Sequence, residues 1–464
     1  MTRALLYGLG IASTLALLGG CGDEAALPPP PPPGPVGTEV PGDEQRPGDA
    51  EAGYHALVHE GYVGCGVPYD FYTQFFGTAP LALQLPGREG KNANMQYSFN
   101  VYTTPSGVDV VMPNCLSCHA TTFGGEIVVG LGNTSQDYTI STAAQLDVAV
   151  SLIDDPDEKA EMAKFAERAK AIEPFTKPAT IGVNPAENIT AVLLAHRDRD
   201  TLAWSSEPLL ELPPEWVVPV DVPPWWRMQK KNAMFYVAAG RGDHARIMMT
   251  ASTLCVDDVA SAEVIDGYFP DVRAYIASLE PPAYPGSIDS ALAEQGQAIF
   301  EATCSQCHGT YGPGGSYPNL LIATDDVGTD PLLARGSAHH ADASAYWHNE
   351  SYYGEIYTIA PPDGYVAPPL DGIWITAPFL HNGSVPNLQT LLDSSSRPTY
   401  FTRSYDSADY DLALVGWPYT PVEAGGDKTI YDTTLPGYSN AGHTYGDALS
   451  PAERSAVIEY LKTL

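Results

Sequence analysis

Basic residues are scarce in this sequence. It has 23 lysines and arginines against 56 aspartates and glutamates in 464 residues, which gives a formal net charge of −33. Such a chain is repelled by nucleic acid and by anionic membrane surfaces, so we exclude nucleic acid as a partner. The imbalance favours a basic or neutral protein partner, although an acidic surface that binds nothing gives the same composition.

Long apolar runs are also rare. The run from Ala4 to Leu18 follows Arg3 and is too short and too weakly flanked to be a stop-transfer helix. No other stretch is long and apolar enough to span a membrane. The run ends with small residues before Cys21, so residues 1–21 resemble a bacterial lipoprotein signal peptide. That resemblance implies a lipidated Cys21 and an exported protein of the cell envelope, facing the periplasm, with a plain secretory signal as the alternative.

The region after this signal has little capacity to form a core. Residues 22–52 contain six consecutive prolines, Pro28–Pro33, among glycines and acidic residues. Such a composition buries little apolar area and stays extended. We therefore predict a Pro-rich disordered tether between the lipid anchor and the folded part of the chain.

Cysteines are few, but their spacing is informative. The seven are Cys21, Cys65, Cys115, Cys118, Cys255, Cys304 and Cys307. Four of them form two CxxC pairs, so Cys65 and Cys255 remain unmatched in an oxidising compartment. We predict that these two form a disulfide.

Each CxxC pair is followed by a histidine, giving Cys115-Leu116-Ser117-Cys118-His119 and Cys304-Ser305-Gln306-Cys307-His308. The two thiols of a CxxCH motif form thioethers with the vinyl groups of a haem, and the histidine binds the iron. The sequence therefore predicts two covalently attached haems c, with His119 and His308 as iron ligands. A zinc site shared by four cysteines is the alternative, but zinc pairs usually lie about 15–20 residues apart. A redox CxxC motif would need a βαβ pattern around it.

Helix signals divide the chain into two halves. A capping box at Ser450 starts a closing helix, a second amphipathic helix covers residues 265–279, and a third starts near Asp289. Pro223-Pro224-Trp225 and Pro368-Pro369-Leu370 recur at a separation of 145 residues, which indicates an internal duplication with an insertion in the first half. We predict a mainly α fold with little β, made of two consecutive cytochrome c-type haem domains, residues 53–284 and 285–464, with long structured loops.

The second half carries a family resemblance. The segment Trp374–Leu388, with Thr376-Ala377-Pro378-Phe379-Leu380-His381, resembles bacterial dihaem cytochrome c peroxidases and the related methylamine-utilisation dihaem enzyme. Gly61–Pro68, Arg397-Pro398 and Gly442–Gly446 resemble more closely the dihaem cytochromes of the rubber-oxygenase type. The resemblance covers about residue 55 to the C-terminus and is looser in the first half.

The resemblance implies roles for two histidines. His381 would line the pocket of the second haem without binding iron, and His443 would be that haem's distal ligand. The peroxidases use methionine at this place, but no methionine follows Met249 in this chain. A surface histidine in a Gly-rich loop remains the alternative for His443.

Candidate catalytic residues come from the repeated segments. Trp225 and Trp226 could assist electron transfer between the haems, although packing under a proline corner explains them equally well. Phe235 and Tyr236 align with Leu380 and His381, so we expect them to border the first haem's open face, and His381 completes the predicted catalytic set. Two further roles are open: Lys230, Lys231 and Arg241 could pair with haem propionates or lie at the surface, and His196 is a candidate distal residue of the first haem.

These observations predict an exported haem-dependent oxidoreductase of peroxidase or oxygenase type. The first haem would react with a small-molecule oxidant or substrate, and the second would transfer electrons to or from a basic redox partner protein. A pure electron-transfer cytochrome is the alternative. Membrane contact would occur only through the N-terminal lipid anchor.

Overall fold

Short helices alternate with short strands along the chain. The computed structural model describes residues 37–360 and 364–464. The α-helices are α1 Ala50–His59, α2 Tyr69–Phe76, α3 Leu116–His119, α4 Ala143–Leu152, α5 Pro156–Ile172, α6 Ala186–Ala195, α7 His244–Met248, α8 Val259–Asp266, α9 Phe269–Ala277, α10 Ser290–Thr303, α11 Ser305–His308, α12 Thr324–Val327, α13 Ser337–Glu350, α14 Leu388–Leu391 and α15 Pro451–Leu461. The strands are β1 Thr38–Glu39, β2 Val67–Pro68, β3 Phe99–Thr103, β4 Asp109–Pro113, β5 Ala120–Phe123, β6 Glu126–Val129, β7 Gly240–Gly242, β8 Leu320–Ala323, β9 Tyr357–Ile359, β10 Gly364–Val366, β11 Tyr400–Arg403, β12 Tyr419–Pro421 and β13 Ile430–Asp432.

Two pairs of crossing helices organise the two halves: α1 packs on α9, and α10 packs on α15. Each crossing depends on a glycine. A Cβ at Gly53 would lie 1.9 Å from the carbonyl oxygen of Asp271, and a Cβ at Gly296 would lie 1.9 Å from that of Ala456. Only glycine lets the two backbones approach this closely. The predicted capping box at Ser450 and the predicted helix start at Asp289 are both confirmed.

The segments that repeat in sequence also repeat in structure. Met234 forms an isolated antiparallel bridge with Gly240, and Phe379 forms one with Val385. Phe235, which follows Met234, has a positive φ of 69°. Leu380, which follows Phe379, has a positive φ of 66°. Non-glycine residues seldom adopt this conformation, so its recurrence at a separation of 145 residues supports a local structural repeat, while the duplication of whole domains stays a prediction.

The first half carries the predicted insertion. Between α1 and the first CxxCH motif lie α2 and a sheet of order β2-β4-β3. The predicted disulfide joins this insertion to the segment before α8, because Cys65 is bonded to Cys255 with their Cα atoms 5.4 Å apart. That prediction is confirmed.

The prediction of a mainly α fold with little β is wrong. Helices account for 40% and strands for 13% of the structure, and the strands form several small antiparallel sheets. Glycines in segments expected to be loops make these pairings possible. Gly124 and Gly125, with φ of 60° and 86°, close a two-residue turn between β5 and β6, a geometry that requires positive φ at both positions.

The folded body also begins earlier than the predicted tether allows. The signal, residues 1–21, and the tether up to residue 36 lie outside the described residues. From residue 37 onward the tether prediction is wrong, because β1 pairs with β8 and Arg46 forms ion pairs with Asp243 (2.9 Å) and Asp266 (2.8 Å). Polar contacts with distant residues hold the part of the predicted tether that begins at residue 37. Composition alone does not reveal such contacts.

The halves share structure across the predicted boundary at residues 284 and 285. Gly34–Leu464 form a single compact unit, and β7 of the first half pairs with β9 of the second. The division into two haem domains therefore stays a prediction that rests on the repeat. Among the described residues, no helix combines the length and apolar character that crossing a bilayer requires.

Candidate haem sites

The first CxxCH motif comprises the N-cap and the whole of α3, and residues from other segments hold it. The backbone N–H of Cys115 donates to the hydroxyl of Tyr62 (3.1 Å), which itself donates to the carbonyl of Leu57 on α1 (2.9 Å). The sulfur of Cys118 lies 3.3 Å from the Tyr138 hydroxyl and 3.2 Å from Nδ2 of Asn184. The backbone of Cys115 and the sulfur of Cys118 are thus held in place, and neither cysteine is disulfide-bonded.

The second CxxCH motif follows α10 without a break. Its histidine, His308, has Nδ1 2.8 Å from the carbonyl oxygen of Pro368. In the first half, the carbonyl of Pro223 lies near the His119 ring, whose Nδ1 is buried without a hydrogen-bond partner of regular geometry. The two prolines are the repeat-equivalent residues. An imidazole whose Nδ1–H points at a carbonyl leaves the lone pair of Nε2 free for a metal.

A second imidazole lies beside His308. The ring centroids of His308 and His443 are 6.1 Å apart, and Nδ1 of His443 is buried without a hydrogen-bond partner. Two imidazoles that bind one metal from opposite faces, each at a metal–nitrogen distance of about 2.0–2.1 Å, hold their ring centroids about 6 Å apart. The pair therefore fits a six-coordinate haem iron.

Arg397 fixes the loop that carries His443. Its Nη1 donates to the carbonyls of Asn440 (2.6 Å) and Gly442 (2.7 Å), and its Nη2 donates to those of Leu391 (2.9 Å) and His443 (3.0 Å). The N–H of His443 donates to the carbonyl of Val327 (2.8 Å). These bonds hold His443 in a left-handed conformation with φ of 46°.

Both motifs border internal space. Side chains that lie deep in the protein and nevertheless keep accessible area include Cys115, His119, Lys231, Tyr236, Cys304, His308 and His443. A side chain with both properties faces a void rather than the outer surface. Space beside both sets of cysteines and histidines is what a covalently attached haem needs.

Burial keeps these imidazoles neutral. Desolvation lowers the pKa of His119 to about 4 and that of His443 to about 3, and it also lowers the pKa of His308. The neutral imidazole is the form that binds iron. Burial likewise raises the pKa of the Cys115 thiol to about 12, which disfavours its thiolate.

The paired tryptophans join the cores of the two halves. Trp225 belongs to the core of the first half and stacks on His119, with ring centroids 4.8 Å apart. Trp226 is 1% exposed in the core of the second half, and its Nε1–H donates to the carbonyl of Asp371 (2.9 Å). Two adjacent residues thus belong to the cores of the two halves, one to each.

The other predicted residues lie at different depths. His381 is buried and stacks on Tyr365 with centroids 4.2 Å apart, and its ring is 6.5 Å from that of Tyr236. Phe235 is 41% exposed. His196, the candidate distal residue of the first haem, stacks on Trp204 and has Nδ1 2.8 Å from the carbonyl of Ser205, so other partners hold its ring.

Sequence reasoning missed Asp221. This carboxyl group is buried, Oδ1 has no partner, and Oδ2 accepts from the Tyr236 hydroxyl (3.3 Å). Desolvation raises its pKa to about 8, which favours the protonated form at neutral pH. An aspartate between Val220 and Val222 just before the Pro-Pro pair was the available signal.

Two further observations concern alternatives to haem. A cavity of about 460 Å³ lies between Thr121–Phe123 and Ile375–Ala377, and its lining includes none of the CxxCH residues. In the described part of the chain, no group of three or more His, Cys, Asp or Glu side chains is arranged to hold a metal ion.

Comparison with protein families supports the haem assignment. A model described as "RoxA-like, cytochrome c-like" matches residues 364–402, and one described as "Cytochrome C oxidase, cbb3-type, subunit III" matches residues 291–347, which include the second CxxCH motif. The chain is a c-type cytochrome related to the RoxA-like family. The predicted family is confirmed, and the cytochrome has covalently bound haem c and a redox or electron-transfer function.

The cytochrome is also similar to two uncharacterised proteins of Sinorhizobium fredii. It is 33% identical to y4iJ over 281 residues, which cover 46% of each chain. It is 28% identical to y4iM over 322 residues, which cover 58% of the cytochrome and 69% of y4iM. The cytochrome thus spans about half of the length of y4iJ.

Proposed function

We propose that this cytochrome is an exported dihaem oxidoreductase whose two haem sites have different tasks. One haem would be attached at Cys115 and Cys118 and the other at Cys304 and Cys307. Each CxxCH histidine faces a proline carbonyl and internal space, which supports a haem at both motifs. Bound haem supplies one-electron transfer and, where its sixth position is free, a place for dioxygen or peroxide.

The proposal rests on the different neighbours of the two CxxCH histidines. His308 has the imidazole of His443 6.1 Å away, whereas the ring that stacks on His119 is the indole of Trp225. An indole does not bind iron. The second site therefore supports electron transfer with two imidazole ligands, and we assign the binding of a small oxidant to the first, where no second imidazole of the described residues is in ring contact with His119.

The residues around the first site would shape its chemistry. Trp225 and Trp226 exclude water between the sites and provide an aromatic route between the two halves. Tyr236 hydrogen-bonds to Asp221, so this pair can hold a proton near the internal space. His381 and Phe235 belong to the same repeated segments, and we assign them to the border of the reactive pocket.

A pure electron-transfer cytochrome is the second candidate. The observation that favours it is the 460 Å³ cavity, because its lining contains neither the predicted iron ligand His119 nor any predicted catalytic residue. A carrier needs no substrate pocket and would have six-coordinate iron at both sites.

Carbon monoxide distinguishes the two functions. We expect the protein, expressed with a haem-c maturation system, to gain the mass of two haems and its ferrous form to bind one carbon monoxide per two haems. A mass gain of fewer than two haems contradicts the dihaem proposal. Two haems without any carbon monoxide binding would favour the carrier.

Export and partners are part of the proposal. The residues that would carry the signal and the lipid lie outside the described residues, so the support is the sequence alone. Replacing Cys21 with Ser should release the protein from membrane fractions, and unchanged partitioning would count against the anchor. The net charge of −33 supports a basic redox partner, whose binding should weaken as salt is added.

A further inference from the structure

A group of basic side chains in the first half lacks an acidic partner. Lys231 and Arg273 both lie close enough to His244 to lower its pKa, which burial lowers further, to about 4. The hydrogen bond of Lys231 is to the carbonyl of Phe235 (3.3 Å). In a chain with a net charge of −33, an unpaired group of cations needs an explanation.

Three nitrogen atoms of this group, two on His244 and one on Arg273, are buried and unsatisfied. His244 is 2% exposed, and neither of its ring nitrogens has a hydrogen-bond partner of regular geometry, although the carbonyl of Asn232 is near. Nε of Arg273 is also buried without a partner. Each buried polar group that stays unsatisfied lowers the free energy of unfolding by about 1–3 kcal/mol.

The nearby carboxylate is already engaged. Asp243 accepts from Nη2 of Arg46 (2.9 Å) and Nε of Arg46 (3.1 Å), and from the N–H of Arg246 (2.7 Å). Two other basic residues named from the sequence are also committed elsewhere. Lys230 pairs with Asp371 (2.6 Å), and Nε of Arg241 donates to the carbonyl of Ala238 (2.5 Å). An anion from outside the polypeptide would satisfy the remaining three side chains.

The position of the group relates it to the first haem site. The 3-10 helix Trp225–Lys230 begins at the indole that stacks on His119 and ends directly before Lys231. Helix α9, which carries Arg273, packs against this 3-10 helix. A 3-10 helix rises about 2 Å per residue, so the helix Trp225–Lys230 places Lys231 about 12 Å from Trp225. This distance is comparable to the span of a haem. Lys231 also borders the internal space.

We propose that Lys231, His244 and Arg273 bind the propionate carboxylates of the haem attached at Cys115 and Cys118. This inference rests on the proposed function, because it requires a haem at the first motif. The N–H groups of these side chains would bind a negatively charged carboxylate group. A free carboxylate or phosphate ion is the alternative source of such a negative charge.

The test compares purified holoprotein variants with both haems confirmed by mass. Lys231→Met and Arg273→Gln each remove one positive charge, Lys231→Arg keeps it, and Lys170→Met removes the same charge from an exposed ion pair with Asp147. The readouts are the midpoint potential of the haem that binds carbon monoxide and the resonance Raman bending modes of its propionates. A variant without the first haem would contradict the proposed function rather than this inference.

We expect Lys231→Met and Arg273→Gln each to stabilise the ferric form, because a nearby cation favours the added electron. The oxidised-to-reduced ratio at a fixed potential should rise about tenfold, which is 59 mV for one electron. The midpoint potentials of Lys231→Arg and Lys170→Met should stay near that of the wild type. The propionate modes should shift only in Lys231→Met and Arg273→Gln. If Lys231→Met does not fold, Arg273→Gln alone decides.

Two results would overturn the inference. One is an unchanged potential with unchanged propionate modes in both charge-removing variants. The other is calorimetric binding of acetate or inorganic phosphate by the wild-type holoprotein that both variants lose while their propionate modes stay unchanged. That outcome would assign the cations to a free anion.

Discussion

The imidazole rings of His308 and His443 lie 6.1 Å apart, centroid to centroid, although 135 residues separate them in the chain. One ring belongs to a CxxCH motif that is fixed by α10. The other lies on a loop that Arg397 and the carbonyl of Val327 hold in place. The relationship supports a haem with two imidazole ligands in the second half and leads directly to the first prediction.

Replacing His443 with Ala should convert the second haem from low-spin to high-spin, because the remaining ligand is His308 alone. Carbon monoxide binding at the first haem should be unchanged. Electron paramagnetic resonance of the ferric protein measures the spin states, and His55→Ala, a change at an exposed histidine, is the control. An unaltered low-spin signal in His443→Ala would show that another residue is the distal ligand.

Replacing Arg397 with Gln should loosen the same site without removing the ligand. The glutamine is too short to bond the carbonyls of Leu391, Asn440, Gly442 and His443 together, and each buried carbonyl left unsatisfied costs about 1–3 kcal/mol. We expect a mixture of low-spin and high-spin second haem that shifts further toward high-spin on warming. The partly exposed Arg199, changed to Gln, should behave as wild type. A fully low-spin Arg397→Gln protein would mean that the loop is held by other contacts.

The helix crossings predict a large effect of a single methyl group. Gly53→Ala and Gly296→Ala place a Cβ 1.9 Å from a backbone carbonyl oxygen, so the helices must separate. We expect each change to lower the free energy of unfolding by about 3 kcal/mol, at the upper end of the cost of overpacking. Urea denaturation followed by circular dichroism measures this, with the exposed Gln295→Ala on α10 as the control. Equal midpoints for Gly296→Ala and Gln295→Ala would contradict the close crossing.

The disulfide predicts a redox-dependent stability. Cys65 and Cys255 close a loop across a sequence separation of 190 residues, and such a crosslink contributes about 2–4 kcal/mol. The variant Cys65→Ser/Cys255→Ser should unfold at lower urea concentration but keep both haems. Reduction by dithiothreitol should lower the unfolding midpoint of the wild type and not that of the variant. Equal sensitivity of the two proteins to the reductant would contradict a structural role for this bond.

Several features follow from sequence patterns with local physical causes. The CxxCH motifs, the helix starts at Asp289 and Ser450 and the repeated Pro-Pro segments depend on residues close together in the chain. The disulfide was also predictable, because Cys65 and Cys255 were the two cysteines left unmatched. Resemblance to a known family added His443, whose partner lies too far away in sequence for any spacing rule to reach.

Only the tertiary structure decided the rest, because the causes join distant segments. The strand content was underestimated, since pairs such as β1 with β8 form between segments that show no alternating pattern of their own. The sequence pointed to Lys230, Lys231 and Arg241, but the fold pairs Lys230 with Asp371 and brings Lys231 to His244 and Arg273. The amino-acid composition determined that lysine and arginine side chains would be scarce. Packing determined which of them stay without a carboxylate partner.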